Sequence, residues 1–291
     1  MRVLVLGAGG MIGSAMFRVL SANSTLEVFG TLRSTTDAGF FHPELRSRLL
    51  LDVNVAAPDA LALAFIKVRP QVVINCIGLT KHVSGGEEPS AAISMNALLP
   101  HRIAGLCTLS AARLIHVSTD CVFSGAKGAY READAPDASD VYGRSKQLGE
   151  VIADESVTLR TSTIGHEFRT RHGLLEWFLS QTECHGYTRA IFSGVPSVVF
   201  AGIVRDIVIP NQSLTGLYHV AGPSIAKADL LRLVAETYER DIRISLDDSL
   251  VIDRSLDAAK FAAVTGYRSP SWPAMVQSMH DDFMKGYQHN V

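Results

Sequence analysis

The chain opens with Val3-Leu4-Val5-Leu6-Gly7-Ala8-Gly9-Gly10-Met11-Ile12-Gly13, and this stretch decides the fold. Four apolar residues run straight into a cluster of glycines, and a helical repeat follows at Met11, Ile12, Ala15, Met16, Val19 and Leu20. An apolar run, a tight turn and a helical period together specify strand, turn and helix. Gly7, Gly10 and Gly13 permit positive φ, bring the backbone close to a pyrophosphate and let the helix pack against the strand. The helix N-terminus, with Met11 and Ile12 in its first turn, adds amides and the positive end of a dipole. The expectation is the first unit of a Rossmann-type α/β fold with a dinucleotide at its loop.

Apolar strands then alternate with helical patterns, as a doubly wound parallel sheet requires. Strands are expected near 2–6, 26–31, 48–51, 71–76, 112–118 and 156–161, and helices near 11–21, 57–68, 89–109 and 140–153. Ligands of such a sheet lie outside the carboxyl ends of the strands, where Gly7, Arg33, Asp52, Cys76, Thr119 and Thr161 all fall. The alternation fades after about residue 165. Helices near 173–182, 200–210, 226–238 and 271–286, with short strands near 190 and 217, are expected to form a smaller lobe over the site.

Two further segments carry chemistry. Ser118-Thr119-Asp120 closes an apolar run, and Tyr142-Gly143-Arg144-Ser145-Lys146 opens a helix. A tyrosine and a lysine four apart share one helix face, so the ammonium of Lys146 is expected to lower the Tyr142 phenol pKa. Tyr142 would pass a proton to a carbonyl oxygen that the Thr119 hydroxyl also holds. Cofactor choice is read from the end of the second strand. An acid there suits the ribose hydroxyls of NADH and an arginine suits a 2′-phosphate, so Arg33-Ser34 favours NADPH, with NADH as the alternative.

Composition narrows the partners. The 27 basic and 29 acidic residues leave a net charge of −2, which marks neither nucleic acid nor an anionic membrane as a partner. No apolar run is long enough to span a bilayer, and the first strand leaves no room for a signal peptide, so a cytoplasmic enzyme is expected. Cys76, Cys107, Cys121 and Cys184 have no paired metal-ligand spacing and are read as free thiols.

The chain resembles the dTDP-4-dehydrorhamnose reductase-like branch of the extended short-chain dehydrogenase/reductases. The resemblance rests on the loop at 7–13, Asp52-Val53, Asn75-Cys76-Ile77-Gly78-Leu79-Thr80, Ser94-Met95-Asn96-Ala97 and Ser118-Thr119-Asp120-Cys121-Val122-Phe123-Ser124-Gly125. It continues through Val141 to Lys146 with Leu148-Gly149-Glu150, Leu159-Arg160-Thr161-Ser162 and Gly216-Leu217-Tyr218-His219-Val220. It implies NAD(P)H-dependent reduction of the 4-keto group of a nucleotide-linked 6-deoxysugar, by a monomer or homodimer. Thr119, Tyr142 and Lys146 would be catalytic. Asp52 would meet the adenine amino group with Val53 beside the ring, while Cys76, Ile77, Gly78, Thr80 and Thr161 would line the cofactor. Residues 1–165 would form the dinucleotide-binding domain, with segments near 195–220 returning to it, and 166–291 mainly the substrate-binding lobe.

Asp120 and Cys121 would face the substrate. Related 4,6-dehydratases carry Asp-Glu after the threonine, so Asp120-Cys121 argues against dehydration. Cys121 stands where epimerase-reductases of the GDP-fucose synthase type place a proton-carrying cysteine, which would need His166, His172 or His185 as second acid. A dinucleotide-binding regulatory subunit is the alternative of another class. Arg169, Arg171, Arg189 and Arg205 are candidates for the sugar diphosphate.

Overall fold

The computed structural model describes residues 1–80, 88–168 and 172–286. Seven parallel strands form the central sheet: β1 (Arg2–Leu6), β2 (Glu27–Thr31), β3 (Leu49–Leu50), β4 (Val72–Asn75), β5 (Arg113–Thr119), β6 (Ser156–Thr161) and β7 (Gly216–His219). Their order is β7-β6-β5-β4-β1-β2-β3, so the chain winds outward in both directions from the pair β1 and β4. A crevice opens at such a reversal, outside the carboxyl ends.

The apolar start of the chain makes the central strand. Val3 and Val5 point to one face with Phe17, Leu20, Phe200, Val204 and Val276, while Leu4 and Leu6 point to the other with Leu61, Phe65, Leu99 and Ile103. The alternation has period two, and both faces are buried because helices cover both sides. These include α1 (Met11–Ser21), α2 (Pro58–Val68), α3 (Leu99–Leu109) and α4 (Val141–Leu148). Later in the chain come α5 (Leu174–Leu179), α6 (Ser197–Ile203), α7 (Lys227–Thr237), α8 (Ala259–Thr265) and α9 (Trp272–Gly286).

Two expected helices change shape at the site. The segment from Pro89–Ala92 to α3 passes through a π turn at Ile93–Leu98, which offsets Asn96 from a regular helical position. The helix expected over 140–153 stops at Leu148, and Gly149 after it runs so close to the Asn96 carbonyl that no side chain fits there. β7 pairs with β6 in the main sheet and α6 lies against α1. Smaller sheets join Glu183–Tyr187 to Arg243–Asp247, and Ala190–Phe192 to Ile225–Ala226 and Ile252–Asp253. Among the described residues no helix is long and apolar enough to cross a membrane.

Candidate active site

The glycine turn is built for close approach. Gly7 has φ 83°, and a Cβ there would stand 2.9 Å from Ile77 Cγ1. A side chain on Gly13 would collide with the Gly7 carbonyl oxygen. Thr31 at the end of β2 accepts a hydrogen bond from the Gly7 amide at 3.0 Å and fixes the turn. Gly10 is exposed at the head of α1, where among the described residues no side chain caps the helix and no acid stands in the first turn. The opening amides over Met11, Ile12 and Gly13 are thus left for an anion, and the cradle fits a pyrophosphate.

Cys76-Ile77-Gly78 leaves β4 beside this turn. The Asn75 side chain accepts from the Ile77 amide at 3.1 Å, and the Asn96 side chain clasps the Leu79 backbone, accepting at 2.8 Å and donating at 2.9 Å. Asn96 also donates to Ser145 Oγ at 3.1 Å, so the π turn ties the loop after β4 to α4. A Cβ on Gly78 would sit 3.9 Å from Lys146 Nζ, and Thr80 is exposed beyond it.

Helix α4 starts at the cap Asp140, whose carboxylate accepts from the Gly143 amide at 2.7 Å. Gly143 has no room for a Cβ against the Cys121 carbonyl, which presses the first turn of α4 onto the loop after β5. Tyr142 therefore lies next to Thr119, Asp120 and Cys121. Thr119 Oγ1 donates to Asp120 Oδ1 at 3.1 Å and accepts from the Cys121 amide at 3.1 Å. Thr161 neighbours Thr119 in register on β6 and is buried.

The electrostatics correct one expectation. Burial, with Cys121 and Asp120 adding to it and the Thr119 hydroxyl opposing, holds the Tyr142 phenol above its ordinary range. Lys146 does not lower it: its Nζ donates to the Val117 carbonyl at 2.8 Å, and burial brings its own pKa down to about 8. Burial also raises Asp120, and pushes the Cys76 thiol up to about 12. A phenol that keeps its proton at neutral pH is an acid, so the site is set to deliver a proton to a developing oxyanion.

At the adenosine side Arg33 is exposed after β2, as a 2′-phosphate partner must be. Asp52 is exposed with φ 56°, and the Val53 amide donates to the Leu32 carbonyl at 2.9 Å, which keeps this pair beside the end of β2. The strand end lacks an acid as read, yet a short 3-10 turn at Thr35–Phe40 brings one back. Asp37, buried, has Oδ2 3.3 Å from the Cβ position of Gly9. No local pattern announces this.

Among the candidate arginines, Arg169 and Arg171 lie outside the described residues, Arg189 is exposed, and Arg205 forms a two-pronged pair with Asp206 at 2.7 Å. The guanidinium brought to the site is Arg254, which follows the strand Ile252–Asp253. Its Nε donates to the Phe123 carbonyl at 2.8 Å, and Nη1 lies 4.0 Å from Cys121 Sγ. The proposed second acids of an epimerase are engaged elsewhere or open to solvent. His166 sits between Glu176 at 2.6 Å and Tyr238 at 2.8 Å, His185 lies 3.7 Å from Asp247, and His172 is exposed. On α5, Phe178 is core while Trp177 is 40% exposed.

The sequence profile of the RmlD substrate binding domain matches residues 1–241, most of the chain. The chain belongs to this family. The spore coat polysaccharide biosynthesis protein SpsK of Bacillus subtilis is 28% identical over 232 residues, covering 77% of this chain and 74% of that protein. A dTDP-4-dehydrorhamnose reductase of Aggregatibacter actinomycetemcomitans is 26% identical over 234 residues, covering 76% and 73%. The structure of a Bacillus anthracis dTDP-4-dehydrorhamnose reductase in complex with NADP superposes with a TM-score of 0.78 at 19% identity, over 97% of this chain and 99% of that one. At that identity the likeness speaks for the fold, which is the Rossmann-type arrangement of the RmlD family.

Proposed function

We propose that this RmlD-family chain is an NADPH-dependent reductase of the 4-keto group of a nucleotide-linked 6-deoxysugar, working in the cytoplasm on precursors of surface polysaccharides. The observation that carries the reading is the meeting of Thr119, Tyr142 and Lys146 beside a glycine cradle at the carboxyl ends of β1, β4 and β5. The names of the relatives support the same chemistry. When bound, NADPH supplies the hydride. The cradle and the head of α1 would hold its pyrophosphate, Arg33 its 2′-phosphate, and Cys76 to Gly78 with Lys146 its nicotinamide ribose. Thr119 orients the sugar carbonyl, and Tyr142 donates its proton to the oxygen as charge develops there. Asp120 and Cys121 line the substrate side, with Arg254 behind them. A screen of cofactor oxidation against dTDP-, UDP- and GDP-linked 4-keto-6-deoxysugars tests the reading, with product stereochemistry read by NMR. No oxidation with any of them would sink it and leave the regulatory-subunit alternative.

Arg33→Ala should weaken NADPH binding tenfold or more and leave NADH nearly unaffected, since a charge-assisted pair is worth roughly 1.5–3 kcal/mol. Asp37→Asn should move selectivity the other way, because its carboxylate stands beside Gly9 of the loop and would oppose a phosphate held there. Cofactor titrations of both variants decide the matter, and equal effects on the two cofactors would refute the assignment.

Cys121→Ala should keep substantial turnover and the same product, because Cys121 lies beside Tyr142 and Arg254 while His166 is held by Glu176 and Tyr238. Product formed in deuterated water should carry no deuterium at C3 or C5. Incorporation at either carbon, lost in Cys121→Ala, would restore the epimerase reading.

A further inference from the structure

The catalytic helix ends in a buried ionic knot. Glu150 follows α4 by two residues, and its Oε1 accepts from Ser118 Oγ at 2.7 Å and from Arg160 Nε at 2.7 Å. Its Oε2 accepts from Arg160 Nη2 at 2.7 Å. Ser118 and Arg160 are register partners on β5 and β6, so one carboxylate joins both strands to the helix end. Arg160 and Glu150 side chains are only 3% and 7% exposed. The remaining faces of Arg160 are taken up by the Phe123 ring at 5.1 Å and His219 Nε2 at 3.4 Å.

Ser118 is also the residue after Val117, whose carbonyl receives the Lys146 ammonium. Resting on the reductase reading above, we propose that Glu150 is a positioning residue for the reaction, holding β5 and α4 in register so that Lys146 stays seated, and supplying the negative charge that keeps Lys146 an ammonium. The groups facing Lys146 support this. Glu150 and Cys76 favour its charged form, burial opposes it, and the Cys76 thiol is itself pushed up to about 12 and so is neutral at working pH. His116 on β5 is held neutral by burial, its pKa well below the usual histidine range. Tyr142 on the same helix keeps its proton. Among these neighbours Glu150 is the carboxylate, held in its two-pronged pair with Arg160. With Lys146 at about 8, the loss of one favourable charge decides whether it is charged.

The test is a titration of free protein labelled with ¹³Cε-lysine, the Lys146 resonance being assigned by its loss in Lys146→Met. Wild-type Lys146 should titrate near pH 8. In Glu150→Gln its midpoint should fall by about one unit or more. Glu150→Asp, which keeps the charge, should stay near wild type. Glu150→Gln orphans the Arg160 charge, which adds to the fall, so Glu150→Gln/Arg160→Met is the companion, and its midpoint should fall by less. An unmoved midpoint in either folded variant overturns the proposal. Unfolding of both would make the carboxylate a folding element alone and overturn it equally. Turnover does not enter this readout, so a wild-type protein that reduces no 4-keto sugar would refute the reductase reading while leaving the lysine titration legible.

Discussion

Tyr142→Phe is expected to lower kcat by about 10² to 10⁴ and to leave NADPH affinity within about twofold of wild type. Phenylalanine keeps the ring that packs beside Thr119 and Cys121 and deletes only the proton donor. The hydroxyl matters when negative charge develops on the sugar oxygen, which places the loss in kcat rather than in ground-state binding. The raised phenol pKa has a consequence for pH. Wild-type reduction should not fade through neutral to mildly alkaline pH from loss of the tyrosine proton, because that proton is retained above the ordinary tyrosine value. Single-turnover rates across pH, with cofactor binding measured separately, check both statements. Full activity in Tyr142→Phe would refute the mechanism.

Lys146→Met should reduce both turnover and NADPH affinity. One charge-assisted hydrogen bond to the ribose is worth roughly 1.5–3 kcal/mol, or about tenfold to a hundredfold in binding. Lys146 also governs the alkaline side. Its folded pKa of about 8 lies below the ordinary 10.5, so the ammonium discharges and NADPH affinity falls as pH rises through that value. The methionine variant should show a flat profile. Stability runs the opposite way. The buried ammonium costs stability fully below pH 8, and the cost is lost as pH climbs towards 10.5. A displacement of that size is worth roughly 3 kcal/mol, against about 1 kcal/mol for the lost hydrogen bond to Val117. The variant should therefore melt above wild type at pH 7, with the gap closing on the alkaline side. A lower melting point at pH 7 would refute this account of Lys146.

Much of the framework was local and therefore legible. The turn after Leu6 needs Gly7 and Gly13 because a positive φ at one and a carbonyl pressed against the other admit no Cβ, and such demands write themselves into the residue types. The alternating apolar strands and helices likewise follow from burial on both faces of a parallel sheet. That Thr119 closes a strand and that Tyr142 and Lys146 share one helix was legible as well, since the apolar run and the helical spacing are local.

The tertiary structure decided what depends on partners distant in the chain. Position 149 has room only for glycine because Asn96, fifty-three residues earlier, fills the space. The Tyr142 phenol is raised rather than lowered, because burial outweighs the effect of a lysine that turns to Val117. Asp37 returns to the glycine loop, Arg254 reaches Cys121 from across the chain, and Glu150 finds Ser118 and Arg160 on two strands. A sequence fixes backbone preference and hydrophobic period residue by residue. Desolvation and charge pairing depend on which atoms surround a group, and only the folded chain determines that.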